Sequence, residues 1–65
     1  MSEATTFHWL VFFRNDKMGF QKHYEVTAPN VVVAMADATA SLEEAGYKAA
    51  DMQIVSVQRI REVGT

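Results

Sequence analysis

Two histidines and one carboxylate, His8, His23 and Glu25, are the residues of this chain with the widest chemical reach. Imidazole nitrogens beside a carboxylate can hold a metal such as zinc or relay a proton. His23 and Glu25 stand two apart, so on a strand they share a face. His8 joins them only in one of two strand pairings, because a one-residue slip sends every side chain to the opposite face. Nothing in the spacing requires a metal or acid–base site, so these three read as polar residues on an exposed or interfacial strand.

The other reactive types are weaker candidates. Glu43 and Glu44 are neighbours in sequence, but adjacent helical positions point about 100° apart and do not share a site. Ser41 and Ser56 have no base assigned beside them. Gly19, Gly46 and Gly64 are isolated and form no phosphate-cradling loop. There is no cysteine, which excludes disulfides and thiolate metal ligands. The chain therefore reads as one without catalytic residues, metal or cofactor, acting by binding rather than by turnover.

Binding chemistry is better represented. Phe7-His8-Trp9-Leu10-Val11-Phe12-Phe13 holds three of the four phenylalanines and the only tryptophan. Arg14, Lys17, Lys22, Arg59 and Arg61 are the cations that would flank such an aromatic surface, and aromatic rings with nearby cations can stack unpaired bases. Charge is segregated. Segments 5–29 and 52–65 each carry one net positive charge, and segment 30–51 carries three net negative charges. With −2 overall, the field does not recruit duplex nucleic acid or anionic lipid. Polyanion binding at Arg14, Lys17, Lys22, Arg59 and Arg61 would thus be limited to single-stranded RNA or DNA.

These residues must be positioned by a small number of elements. Sixty-five residues make one domain at most, with residues 1–4 and 62–65 as frayed tails. The spacing predicts a first strand over 5–14, apolar on both sides and so needing cover on both. Arg14 to Gly19 is turn chemistry, and a second strand follows over 20–27, with Phe20, Tyr24 and Val26 on one face and Gln21, His23, Glu25 and Thr27 on the other. Pro29 ends that strand, Asn30 is a favoured N-cap, and 31–45 reads as a helix whose buried stripe would be Val31, Ala34, Met35, Ala38, Leu42 and Ala45. Gly46 is placed for a left-handed C-terminal cap. A third strand over 52–61 shows no clearly buried face, as a bulge would produce.

The order strand, strand, helix, strand, with a right-handed crossover skipping the first strand, gives a two-layer α+β fold: a three-stranded antiparallel sheet in order 2-1-3 with one helix on one face. One helix covers one face only. Were Leu10 to pair near Tyr24, the bare face would carry Phe7, Trp9, Val11 and Phe13; slipped by one, it would carry His8, Leu10 and Phe12. An apolar patch of that kind marks an interaction surface. The expected interface is therefore Phe7, Trp9, Val11 and Phe13, with Val32 and Val33 on the outer helix. The expected partners are a second copy of the chain as a homodimer and a further protein, as for a small accessory or inhibitor protein of the kind phage and plasmid genomes carry. No run is long enough to span a bilayer, and the start is polar and acidic, so the expected address is the cytoplasm.

Overall fold

The computed structural model describes residues 5–63; the expected tails 1–4 and 64–65 lie outside the described residues. Three strands and one helix follow in the expected order: β1 (Phe7–Asn15), β2 (Phe20–Ala28), α1 (Val31–Glu44) and β3 (Gln53–Glu62), with a short 3-10 turn at Ala49–Asp51. The sheet is antiparallel with order β2-β1-β3, and α1 packs on one side of it. The fold is thus α+β, with the most apolar strand in the centre. Glu62, expected to fray, instead ends β3 opposite Phe7, and just beyond it the Val63 N–H donates to the Thr6 carbonyl at 2.9 Å.

Local chemistry sets each boundary. Asn15 closes the β1–β2 hairpin: its carbonyl accepts from the Gly19 N–H at 2.8 Å and its side-chain oxygen from the Met18 N–H at 2.9 Å. Gly19 takes φ +70, which a β-carbon would oppose. Asn30 caps α1, its side-chain oxygen accepting from the Val33 N–H at 3.0 Å. At the other end Tyr47 N–H donates to the Leu42 carbonyl and Gly46 N–H to the Glu43 carbonyl, the paired bonds of a glycine-capped terminus, with Gly46 at φ +99. Tyr47 then packs back against the cluster that contains Leu42.

The β1–β2 register decides what the helix covers. Val11 pairs with Tyr24, Trp9 with Val26 and Phe13 with Lys22. The odd-numbered side chains of β1 therefore face α1. Val11, Phe13, Ala38, Leu42 and Met52 form one buried cluster, and Trp9, Ala28 and Ala34 a second. The Trp9 indole donates to the Ala28 carbonyl at 2.9 Å, so the largest side chain buries its one polar atom with a partner. Tyr24 does not manage this; its hydroxyl is buried with no partner among the described residues. A buried unpaired hydroxyl costs free energy that a phenyl ring does not. Tyr24→Phe is expected to leave stability unchanged or raise it by up to about 1 kcal/mol. The shift in urea midpoint reads this, and a loss of more than about 1 kcal/mol would mean that the hydroxyl has a partner after all.

One expectation about burial changes, on the helix, and the bulge expected in β3 is present. Ala34, Ala38 and Leu42 are fully buried, but Val31, Met35 and Ala45 of the same stripe are exposed. The reason is placement: α1 lies over β2 and β1 and makes little contact with β3, so positions on the rim of the stripe have no strand beneath them. β3 is broken in register twice, between its partners for His8 and Trp9 and for Phe12 and Phe13, leaving Ile60 and Val55 as extra residues. Each extra residue resets the alternation. Ile54 and Val57 consequently both pack on the helix side although they are three apart.

Candidate binding face

The side of the sheet away from α1 is built from the residues that alternate with the core. β1 contributes His8, Leu10, Phe12 and Arg14, paired with Thr27, Glu25, His23 and Gln21 of β2. On the other flank, Arg61, Gln58, Ser56 and Gln53 of β3 pair with the same four. The centre is apolar, Leu10 and Phe12, and both are half-buried by their neighbours. The residues paired around it are polar, while Val55 and Ile60, the extra residues of β3, stand exposed along that flank.

Specific contacts order the polar residues. His8 Nδ1 lies 3.4 Å from Glu25 Oε2, an ion pair when the imidazole is protonated. The His23 ring packs on Phe12 with centroids 5.4 Å apart and planes at 38°. Arg14 Nε is 2.9 Å from Asp16 Oδ1, which neutralises that end of the face. His8, His23 and Glu25 do share the face, but among the described residues no group of three histidines or acids could hold a metal ion.

The expected interface residues fall elsewhere. Trp9, Val11 and Phe13 are core under α1, and Phe7 lies on the same side with its ring edge-on to Trp9 at 6.2 Å. They cannot form an open face without dismantling the core, so the open face is the His8, Leu10 and Phe12 side. The signal that decides this was the turn. Residues 16–19 form a four-residue hairpin loop, and an even loop length puts odd positions of β1 beside even positions of β2. Val32 stands 71% exposed and Val33 36% exposed on the outer helix, as expected, but on the layer opposite the open sheet face.

The expected cations divide between the two sides of the sheet. Arg14 and Arg61 lie on the open face, and Lys17 is exposed in the hairpin loop. Lys22 and Arg59 are on the helix side, spent on rings there: Lys22 Nζ lies 5.8 Å from the Tyr24 ring centroid and 5.4 Å from that of Tyr47, and the Arg59 guanidinium 4.9 Å from that of Phe7. The five therefore do not line one platform. A further hollow of about 260 Å³, missed in the sequence, opens between the hairpin loop and the end of α1, among Met18, Phe20, Tyr47, Lys48 and Met52. Its walls come from two stretches far apart in sequence, 15–20 and 46–52, a placement with no signature in either of them.

No protein-family model, curated protein or solved structure matches the chain. Among the described residues no helix is long and apolar enough to cross a membrane.

Proposed function

We propose that this chain is a small non-enzymatic protein-interaction module that holds another protein on the open face of its sheet. The observation that carries the reading is the one-sided cover: α1 shields one face, and the other presents Leu10 and Phe12 among paired hydrogen-bonding side chains. Leu10 and Phe12 supply the desolvated centre, and Glu25, Gln58 and Arg61 supply directional contacts around it. An accessory or inhibitor protein docking on a larger machine fits this arrangement. Placing a photo-crosslinking amino acid at position 12 in the producing cell is expected to give one discrete protein adduct, with none from position 32 on the opposite layer. Equal, diffuse labelling from both positions would overturn the reading, and an adduct of twice the chain's own mass would reassign the face to a second copy.

A second reading rests on the Phe12–His23 pair with Arg14 and Arg61 on the same face, an arrangement able to stack unpaired bases. It is the weaker of the two, because Lys22 and Arg59 are withdrawn to the other side and Arg14 is already paired with Asp16. Retention on single-stranded RNA that falls steeply with added salt would support it, and no retention at low salt would end it.

A further inference from the structure

The two outer strands of the sheet differ in a way that bears on assembly. β3 is interrupted by two register breaks, and such bulges blunt an edge against pairing with another strand. β2 runs nine residues against β1 without a break, contains no proline, and lies at the sheet edge. Among the described residues no backbone hydrogen bond from a loop or cap reaches it. An edge lysine is a usual guard. The only lysine of β2, Lys22, is instead drawn over the Tyr24 and Tyr47 rings. β2 is thus a long, regular, unguarded edge.

We propose that a second copy of this chain pairs antiparallel along β2, about a two-fold axis at Tyr24, giving a continuous six-stranded sheet. A two-fold axis perpendicular to the sheet keeps both helices on one side, and face alternation then requires the axis to fall on a residue. Charge selects which one. Centred on Glu25, the pairing sets the two glutamates directly opposite each other; centred on His23, it sets the two histidines opposite. Centred on Tyr24, it sets His23 opposite Glu25 of the second copy, twice, and Gln21 opposite Thr27, so that cross-strand neighbours are complementary.

The helix layer fits the same axis. α1 lies mainly above β2 and partly above β1, so the two helices come within packing distance of each other across the axis. The exposed acids of α1 work against this approach and set a limit on affinity. On the other layer the open faces join edge to edge, and Leu10 and Phe12 are presented twice on one surface. The inference goes beyond the proposed binding function and does not depend on it.

Because the chain has no cysteine, the register can be tested directly. Gln21→Cys and Thr27→Cys both alter exposed open-face positions and leave His23, Glu25, Leu10 and Phe12 in place. In the proposed register residue 21 of one chain is opposite residue 27 of the other, whereas like positions are roughly 20 Å apart along the strands. Disulfides need α-carbons within about 7 Å. Mild oxidation of the two variants mixed is therefore expected to give a covalent dimer, and of either variant alone, none. A second measurement uses Glu25→Lys, checked for retained fold by circular dichroism. It should weaken the dimer roughly tenfold by sedimentation, as the carboxylate opposite His23 is lost from both cross-strand pairs. A monomer at about 100 µM, or a dimer that forms no mixed disulfide, would overturn the proposal. The mixed disulfide reads the β2 edge alone, and an adduct at position 12 to a protein other than a second copy reads the binding face alone, so failure of the dimer and failure of the binding face are read separately.

Discussion

Trp9→Ala is expected to leave the chain largely unfolded at 25 °C, while Phe12→Ala costs about 1 kcal/mol or less. Both remove a large ring from the same strand, three positions apart. Trp9 is buried against Ala28 and Ala34, and its indole satisfies the Ala28 carbonyl at the end of β2. Truncating it empties that volume and strands a buried acceptor, a loss of about 3–5 kcal/mol for the ring alone. A domain of this size has only about 3–10 kcal/mol in total. Phe12 sits on the opposite face, where its main neighbour is the His23 ring, so its removal forfeits a cross-strand pair and no core volume. Trp9→Phe separates the two parts of the tryptophan effect, keeping most of the ring and losing the donor, for about 1–2 kcal/mol. Urea titrations followed by far-ultraviolet circular dichroism check all three. If Phe12→Ala proved as damaging as Trp9→Ala, the strand register described above would be wrong.

The same comparison shows which features a sequence of this kind exposes. Element order, sheet order and both helix caps are local or topological matters, and Asn30, Gly46 and Pro29 announce them in single residues. The face of β1 is a different kind of fact. Phe7, Trp9, Val11 and Phe13 on one side and Leu10 and Phe12 on the other are both apolar sets, so hydrophobic patterning leaves the parity undecided. The loop length decides it, through Asn15 and Gly19, and that depends on whether Asn15 belongs to the strand or to the turn. In β3 the apolar positions Ile54, Val55, Val57 and Ile60 fit no period of two, and the register breaks at Val55 and Ile60 are the physical cause. The candidate binding face inherits this limit: its membership follows from the parity, and its residues, one leucine and one phenylalanine among polar neighbours, carry no motif of their own.

Leu42→Ala and Ala38→Leu should both detach the helix, for opposite reasons. α1 meets the sheet through Ala34, Ala38 and Leu42, of which only Leu42 is large. The two alanines let the helix backbone approach β2 and β1 closely, and Leu42 fills the space this leaves beside Val11, Phe13 and Met52. Leu42→Ala therefore removes most of the side-chain volume the helix contributes, at about 2–5 kcal/mol including the cavity. Ala38→Leu inserts three carbons where the site has no room, at about 1–3 kcal/mol, because the helix must rise or the leucine must leave its rotamer. Since a helix of 14 residues is marginal alone in water, either loss of packing also melts the segment that screens Trp9. The expected signature is a joint loss of helical circular dichroism and a red shift of tryptophan emission, larger for Leu42→Ala. If the emission shifted while the helical signal held, the helix would be docking by some surface other than Ala34, Ala38 and Leu42. The double variant Ala38→Leu, Leu42→Ala supplies the sharpest check, because volume removed at one turn is returned at the next. If the two sites share one packed layer, their effects will fall short of adding, by about 0.5 kcal/mol or more.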